Sequence, residues 1–337
     1  MDLQTQLPRV VVLSLGGTIA STSAAGADGE GVTPRLGARD LISAVPRLSD
    51  AAHLEAVAFR QSPSADLTLN DVAALAVQIS ARFDAGATGA VVTQGTDTIE
   101  ETSFALELLV RGPKPVVVTG AMRNPTLPGA DGPANLLAAV RVAASPRARG
   151  LGILVVLNDE IHAARFVRKT HTSSPATFRS VTAGPVGWVV EGRPRIAFRP
   201  APLPAVTPPS GAVPPVALLK TFLGDDGRLL ERIDALGYAG LVVEALGGGH
   251  VPARMVPELE RVAGRIPVVL ASRTGGGEVL KETYGFPGSE RDLLARGLVW
   301  AGFLDGPKAR VLLSLLLAEG ADARAVRARF ERFNALW

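Results

Sequence analysis

Two kinds of segment alternate through the first 160 residues of the chain. Short apolar runs rich in β-branched residues occur at Val10–Leu15, Gly89–Thr93, Val116–Thr119 and Ile153–Leu157. Helix-like stretches lie between them at Leu69–Phe83, Thr98–Val110 and Ala134–Ala144. Strands that are apolar throughout are buried on both faces, and the intervening helices cover those faces. The pattern predicts an α/β fold with a doubly wound, mostly parallel sheet.

The helical stripe at Leu69–Phe83 has apolar residues at 72, 75, 76, 79 and 83, and Asn70 is its predicted cap. A hairpin is predicted between Gly184 and Phe198, with Glu191-Gly192-Arg193 as its turn. Seven prolines follow at positions 200, 202, 204, 208, 209, 214 and 215. Such a stretch is typical of a semi-extended linker. We therefore predict a large N-terminal domain over 1–199, a linker over 200–215 and a smaller α/β domain over 216–337.

The second domain repeats the alternation in shorter form. Its predicted strands are Val216–Leu219, Gly240–Val243 and Val268–Ala271, and its predicted helices lie near Lys308–Leu317 and Ala323–Phe333.

Composition excludes several classes of function. The chain has no cysteine, so thiolate nucleophiles, thiolate metal sites and disulfides are ruled out, and its four histidines show no HxxxH spacing. Lysine plus arginine (35) nearly balance aspartate plus glutamate (32), and aromatics are only 5%, which disfavours nucleic acid as a partner. No apolar stretch reaches membrane-spanning length, and the first eight residues lack a signal-peptide pattern. We expect no membrane association and a cytoplasmic location.

Polar residues follow the first strand in Ser14-Leu15-Gly16-Gly17-Thr18-Ile19-Ala20. Ligands of open α/β sheets bind beyond the carboxyl ends of the strands, and two glycines permit a sharp turn there that exposes Thr18. A phosphate loop is disfavoured because neither GxGxxG nor a Walker motif is present. An ordinary β–α turn remains the alternative. The small, polar stretch from Ser21 to Thr33 is typical of a loop that closes over substrate.

A second polar segment, Thr93 to Glu101, follows the strand at Gly89–Thr93. Thr98 and Glu101 have capping-box spacing, which accounts for the helix start. Thr96 and Asp97 are left unexplained by the cap. A hydroxyl beside a carboxylate can orient a water molecule or an ammonium group.

The third segment contains Lys169, one of only five lysines beside 30 arginines. A desolvated lysine can act as a base, whereas arginine cannot. A solvated basic loop is the alternative, and His171 is interpreted as packed or exposed rather than catalytic. In the fourth segment, Ala121 is expected to place a carbonyl near the strand ends, and Asp131 and Asn135 are interpreted as a turn and helix start.

Taken in order, these segments resemble the bacterial-type L-asparaginase (asparaginase/glutaminase) family over nearly the whole chain. Gly95-Thr96-Asp97-Thr98-Ile99-Glu100-Glu101 fits one family signature at each fixed position. Gly16-Gly17-Thr18-Ile19-Ala20 fits the other, with Leu15 where threonine is usual. Collinear support comes from Gly120–Arg123, Ala130–Pro133, Asn158-Asp159, Lys169-Thr170, Ala176–Phe178, Ser272-Arg273 and Pro307–Leu313.

The resemblance implies hydrolysis of L-asparagine to aspartate and ammonia without cofactor or metal. It implies a homo-oligomer, dimer or tetramer, with each site between the first domain of one subunit and the second domain of its partner. By the same resemblance Thr18 is the nucleophile that forms an acyl-enzyme, and Thr96, Lys169 and Asp97 form a second polar triad. Substrate binding falls to Ser64, Thr96, Asp97 and the Ala121 carbonyl.

Two departures from the family pattern concern the second domain. Many members carry a flap tyrosine, but the two tyrosines of this chain are Tyr238 and Tyr284, and Tyr284 is a candidate for supplying the hydroxyl. A loop anchor is the alternative role for Tyr284. Gly248 stands where some high-affinity members have asparagine. A second-domain glutamate usually holds the α-ammonium, and of Glu278 and Glu282 we favour Glu278.

Other functions remain open at this stage. A glutaminase-asparaginase of broad amide specificity and a non-catalytic amino-acid-binding relative both fit the same segments. An amidotransferase subunit acting on aminoacyl-tRNA is disfavoured, because such subunits carry an extra N-terminal module and this chain reaches its first strand by Val10.

Overall fold

A computed structural model describes residues 7–22, 33–233 and 235–336 of the 337-residue chain. The chain divides into two compact units, Met1–Ala205 and Val206–Trp337. The division falls inside the proline-rich segment 200–215, and the outer limits assigned to that linker remain predictions.

The first unit is built on a large sheet with helices packed against it. The strands of this unit are β1 (Arg9–Ser14), β2 (Ser21–Thr22), β3 (Thr33–Pro34), β4 (His53–Ala58), β5 (Gly89–Thr93), β6 (Val116–Thr119), β7 (Ile153–Leu157), β8 (Glu160–Ala163), β9 (Arg168–Lys169), β10 (Phe178–Arg179), β11 (Gly187–Val190) and β12 (Arg193–Ile196). Of these, β2 with β3 and β9 with β10 form two-stranded ladders apart from the large sheet. Its helices are α1 (Ala38–Ser43), α2 (Leu69–Asp84), α3 (Ile99–Leu109) and α4 (Gly132–Ala143).

The order of strands places a crevice at the centre of the large sheet. That order is β12-β11-β8-β7-β6-β5-β1-β4, and β4, β1, β5, β6 and β7 are mutually parallel. From β1 the chain passes to β4 on one side and then returns to β5 on the other. The direction of winding therefore reverses between β1 and β5, which is the kind of point where open α/β sheets bind ligands. The predicted doubly wound, mostly parallel sheet is confirmed.

Helices cover both faces of this sheet. Val10 and Val12 of β1 share a buried cluster with Leu41 of α1 and Leu136 of α4. The alternate residues of β1, such as Val11, are also fully buried, and α3 packs against α2 and contacts β6 and β7. Burial on both faces explains why these strands are apolar at every position.

The predicted cap at Asn70 is wrong, and Thr98 lies at the predicted N-cap position of α3 without the predicted capping-box bond. The N-cap of α2 is Thr68, whose hydroxyl accepts the backbone N–H of Asp71 while the Asp71 carboxylate accepts the N–H of Thr68. This reciprocal pair starts the helix before Asn70, so Asn70 lies within it. The Thr98 hydroxyl likewise makes no capping bond at α3. The predicted hairpin is confirmed as β11 and β12, with Glu191 and Gly192 both at positive φ in its two-residue turn.

The second unit has a smaller parallel sheet in the order β13-β14-β15-β16. Its elements are β13 (Val216–Lys220), β14 (Gly240–Ala245), β15 (Val268–Ser272), β16 (Val299–Trp300), α5 (Val256–Ala263), α6 (Glu290–Ala295), α7 (Gly306–Ala318) and α8 (Ala323–Asn334). The predicted strands and the two C-terminal helices are confirmed. The remaining elements, α5, α6 and β16, have eight residues or fewer and were not predicted.

Candidate active site

The loop after β1 touches the loop after β5 backbone to backbone. Gly16 and Gly17 both have positive φ (97° and 83°), and a Cβ added to Gly17 would lie 2.0 Å from the backbone nitrogen of Gly95. Thr18, which is half-buried, and Thr96 each lie one residue beyond this contact. The two hydroxyl-bearing residues therefore lie on adjoining loops at the crevice between β1 and β5. The predicted closing loop at 21–33 falls mostly outside the described residues; its ends form the short β2–β3 ladder.

Thr96 and Asp97 form a single helical turn, Thr96–Thr98, that leads into α3. Thr96 is only 5% exposed, whereas the side chain of Asp97 is 71% exposed. The Thr98 hydroxyl donates to the carbonyl of Ser64 at 3.1 Å and accepts from the Gln94 amide at 3.4 Å, so it is oriented towards these groups and makes no bond to an N–H group of α3. The capping-box prediction fails because the Thr98 hydroxyl bonds Ser64, which lies in another loop that the sequence around Thr98 does not reveal.

Lys169 extends its ammonium group to this turn. Its Nζ donates to Thr96 Oγ1 at 2.9 Å and to Asp97 Oδ1 at 2.5 Å, and its side chain is 15% exposed. The Lys169 side chain is therefore held against Thr96 and Asp97, which does not fit the alternative of a solvated basic loop. A cavity of about 440 Å³ opens here, lined by Asp97, Glu100, Lys169, Thr170, His171 and Thr172.

His171 serves its own loop. Its Nδ1 accepts the backbone N–H groups of Ser173 and Ser174, as expected for a histidine without a catalytic role.

Ser64 and Ala121 complete the predicted residues of the first unit. Ser64 begins a helical turn, is 4% exposed, and its Oγ would lie 2.7 Å from a Cβ added to Gly95. Ala121 follows β6 and is fully buried. It lies close to Ile19: a Cβ added to Gly132 would be 3.4 Å from the Cβ of Ala121 and 3.0 Å from the Ile19 side chain. The fold thus brings six of the predicted residues to one edge of the sheet: Thr18, Ser64, Thr96, Asp97, Ala121 and Lys169.

Asp131 and Asn135 do more than start a helix. The Asp131 carboxylate accepts the backbone N–H groups of Met122 (3.0 Å) and Arg123 (2.8 Å). The Asn135 amide donates to the carbonyl of Gly120 at 3.0 Å. The two side chains fix the turn that carries Ala121. Sequence reasoning missed this role, although an acid and an amide spaced i, i+4 at a helix start are a usable signal.

Gln94 is a second residue that sequence reasoning missed. Its amide is fully buried at the end of β5 and donates to the carbonyl of Gly95 and to the hydroxyls of Thr98 and Thr102, at 3.3–3.4 Å. These bonds tie the strand end to the first turns of α3. A polar residue directly after a fully apolar strand was the available signal.

The second unit contains the other two predicted residues. Glu278 is exposed after β15. Tyr284 is 43% exposed, and its ring packs edge-on against His250 at 4.8 Å.

Glu290 organises the segment that carries Tyr284. It is fully buried and accepts the N–H groups of Thr283 and Tyr284. Burial would raise the pKa of Glu290, but these bonds and one from His250 outweigh it and lower that pKa.

Within the described ranges, no group of three histidine, aspartate or glutamate side chains is placed to hold a metal ion. No helix among these residues is long and apolar enough to cross a membrane.

Comparison with known proteins assigns the family. Residues 9–202 match the family model described as "Asparaginase, N-terminal", and residues 215–330 match the "Glutaminase/Asparaginase C-terminal domain". The chain belongs to the asparaginase family. The resemblance predicted from the motifs is confirmed, as is the enzyme class of an amidohydrolase.

Several relatives of this asparaginase-family chain match it along nearly their whole length. A probable L-asparaginase of Deinococcus radiodurans is 37% identical, over 97% of this chain and 98% of the relative. L-asparaginase 2 of Escherichia coli is 33% identical, over 97% and 94%. The crystal structure of a probable cytoplasmic L-asparaginase from Campylobacter jejuni has a TM-score of 0.86 at 30% identity, covering 96% of this chain and 99% of that one.

The relatives do not assign a compartment. The Campylobacter jejuni protein is named as cytoplasmic, whereas a Haemophilus influenzae relative, 33% identical over 97% of this chain and 93% of its own, is named a probable periplasmic L-asparaginase. The cytoplasmic location stays a prediction.

Proposed function

We propose that this protein hydrolyses the side-chain amide of L-asparagine to L-aspartate and ammonia through an acyl-enzyme on Thr18. The observation that carries the proposal is the pair of bonds from Lys169 Nζ to Thr96 Oγ1 and Asp97 Oδ1. A threonine hydroxyl is a weak nucleophile, and an adjacent proton acceptor activates it. The proposal assigns proton transfer to Lys169, and its bond to Thr96 Oγ1 links it to the crevice where Thr18 lies.

The two loops also supply groups for the rest of the reaction. Thr18 and Thr96 each begin a short helical turn, and N–H groups in a first turn lack an intrahelical acceptor. Directed at the attacked carbonyl, these N–H groups form an oxyanion hole. Ser64 binds the substrate carboxylate and Asp97 its α-ammonium, and the Ala121 carbonyl accepts from the side-chain amide. Proton transfer through Lys169 and Thr96 assists departure of ammonia and attack of water on the ester.

The second unit completes the site in a homo-oligomer. Glu278 is assigned to the α-ammonium and Tyr284 to a hydroxyl near the nucleophile, both from a second copy of the chain. Two observations support this assignment: both side chains are exposed, and the backbone N–H of Tyr284 donates to the Glu290 carboxylate, which fixes the position of Tyr284. We place the enzyme in the cytoplasm.

Ammonia release from L-asparagine by purified protein tests the proposal. Lys169→Met should lower kcat by about 10²–10⁴-fold, the usual contribution of a general acid–base group, and Thr18→Val should be at least as damaging. Lys114→Met is the matched control, since that ammonium donates to the carbonyl of Phe83 and lies over the Phe83 ring, away from the residues of the site. Wild-type turnover in folded Lys169→Met would end the proposal, and wild-type protein that binds asparagine without releasing ammonia would favour a non-catalytic relative.

A broader glutaminase-asparaginase is the second candidate. The description of the matching C-terminal family includes glutaminases, and Gly248 leaves the position of the affinity-linked asparagine without a side chain. The two amides differ by one methylene, worth about 1–3 kcal/mol in a pocket. The ratio of kcat/KM for asparagine and glutamine decides between them.

A further inference from the structure

Glu107 and Arg165 form a buried ion pair that the proposed chemistry does not use. Both side chains are 3% exposed, and Glu107 Oε1 accepts Arg165 Nε at 3.1 Å and Nη2 at 2.5 Å. Arg165 Nη1 donates to the carbonyl of Ala201 at 2.6 Å. The guanidinium is therefore held on two sides. Glu107 stands out in sequence as the one charged residue in the apolar run Phe104–Leu109 of α3.

A second acid of α3 holds the same segment near the site. Glu100 Oε2 accepts the backbone N–H of Lys169 at 3.1 Å. Glu100 and Glu107 are seven residues apart, so they lie on one face of the helix, about 10 Å apart along its axis. A turn at 164–166 leads into β9, and the contacts place Arg165 beside Glu107 and Lys169 beside Glu100, so this segment runs alongside α3 towards its N-terminus. Thr96 and Asp97 lie at that end.

The backbone of Lys169 lies in a short ladder that is separate from the large sheet within the described ranges. It is in β9, a two-residue strand that pairs with the two-residue β10, and the next residue, Thr170, donates its N–H to the carbonyl of Thr177. A lysine side chain also has a long, flexible stem. The contacts to α3 tie this short ladder to the helix that presents Thr96 and Asp97.

We propose that Glu107 and Arg165, together with Glu100, are positioning residues that set the Lys169 ammonium against Thr96 and Asp97. The inference rests on the proposed role of Lys169 and adds to it. We call these three residues the α3 clamp. A displacement of about 1 Å in a catalytic group can cost about 10²-fold in rate, so loosening the Glu107–Arg165 pair acts on turnover although neither residue is among those that line the cavity.

The test is Glu107→Gln, studied by steady-state kinetics with L-asparagine between pH 5 and 9. We expect kcat to fall about 10- to 100-fold. KM should change by less than about twofold, because Glu107 lies about two helical turns from the end of α3 that leads back to Thr96 and Asp97, the proposed substrate-binding residues. The pH profile of kcat should change shape, since the Lys169–Asp97 contact is loosened. Glu107→Asp, which keeps the charge, should recover part of kcat. Glu55→Gln is the matched control: it breaks the half-exposed Arg82–Glu55 pair of the same unit and should leave kcat and its pH profile unchanged.

A second variant guards against misfolding. Removing one partner of a buried ion pair is strongly destabilising, whereas replacing both by apolar residues is often tolerated. The double variant E107L/R165M should therefore fold and show the same loss of kcat. Wild-type kcat and pH profile in either folded variant would overturn the proposal. A loss of kcat that only follows the folded fraction, with an unchanged pH profile, would also overturn it.

An activity-independent measurement separates this inference from the proposed function. Acetylation by an amine-reactive ester, followed by peptide mass spectrometry, reports the accessibility of Lys169 relative to Lys220, whose side chain is 63% exposed. The clamp variants should raise the Lys169 rate several-fold over wild type. An unchanged rate overturns the clamp, whereas normal turnover in Lys169→Met removes the catalytic role and leaves the labelling result standing.

Discussion

Burial changes the chemistry of single side chains in this protein, and His162 in β8 is the clearest case. Its side chain is 1% exposed, and burial followed by the charge of Arg179 lowers its pKa from 6.5 to about 4. The Glu160 carboxylate, 3.2 Å from Nε2, favours the charged ring, but burial dominates. Nδ1 lies 3.0 Å from the Ser180 hydroxyl. The ring is neutral in the folded protein at pH 7.

The sign of the resulting pH effect follows from proton counting. Between pH 6.5 and about 4 the unfolded chain binds a proton at His162 that the folded chain does not, so the free energy of unfolding falls as pH falls. The full effect of His162 is about 3 kcal/mol. Urea unfolding of wild type and His162→Gln between pH 7 and 4 measures it, with the exposed His53→Gln as control. Equal pH slopes in wild type and His162→Gln would contradict the prediction.

The positions of Thr18 and Thr96 could be anticipated from the sequence, because each lies in the loop that follows an apolar strand, and their catalytic roles stay predictions. Thr96 and Asp97 are left over once the helix start is explained, and Lys169 is conspicuous in an arginine-rich chain. The spacing of Asp131 and Asn135 at a helix start was a signal of a structural role, but the partners of Asp131 at Met122 and Arg123 could not be predicted, because a turn that only the fold defines brings them to it.

At the scale of elements, the contact between the β1 and β5 loops decides where the site lies. Neither loop could approach the other so closely with a side chain at position 17, since even a Cβ would overlap the backbone of Gly95. The positive φ of Gly17 adds a conformational requirement.

Gly17→Ala should push the two loops apart and separate Thr18 from Thr96. We expect kcat for asparagine to fall by at least about 10²-fold, as for other misplaced catalytic groups. Gly112→Ala is the control, because Gly112 has a similar φ of 99° but nothing within 4 Å of an added Cβ. It should lose only about 1–2 kcal/mol of stability and keep its kcat. Steady-state kinetics gives kcat for both variants, and thermal melts give their stability. Equal kcat in the two variants would show that the contact is dispensable.

Elements were predictable where the hydrophobic pattern is continuous. The strands Gly89–Thr93, Val116–Thr119 and Ile153–Leu157 agree with their predicted limits, since each is fully buried and bounded by polar or turn residues. Short elements such as α1 and α6, six residues each, carry too few turns for a periodicity. The capping bond of Thr98 was mispredicted because its hydroxyl bonds Ser64, a residue far away in sequence. Asn70 was mispredicted because the local pair Thr68 and Asp71 caps the helix two residues earlier.

For the whole molecule, the proposed sharing of sites between copies makes a quantitative prediction. Thr18→Val in the first unit and Glu278→Gln in the second should each reduce activity. After subunit exchange, half of the dimers are mixed, and one of the two sites in each mixed dimer has both halves intact. The mixture should therefore regain about a quarter of wild-type kcat if the sites are isologous.

The complementation assay has a built-in control. Mixing the same variants after chemical cross-linking prevents exchange and should restore nothing. Exchange demonstrated by native mass spectrometry without regained activity would mean that each site is formed within one copy. Tyr284→Phe, measured in the same assay with its oligomeric state, decides whether that hydroxyl contributes.

The winding reversal between β1 and β5 also bears on how the chain acquires activity during synthesis. The adjacent strands β1 and β5 are about 75 residues apart in sequence, and Lys169 follows β5 by about another 75 residues. Closing such long loops is slow, and each closure must precede the next contact. A nascent chain that has emerged only as far as β6 can already pair its central strands, yet it lacks the ammonium group. Translation must pass the β9–β10 ladder before the first unit holds its full set of reactive groups.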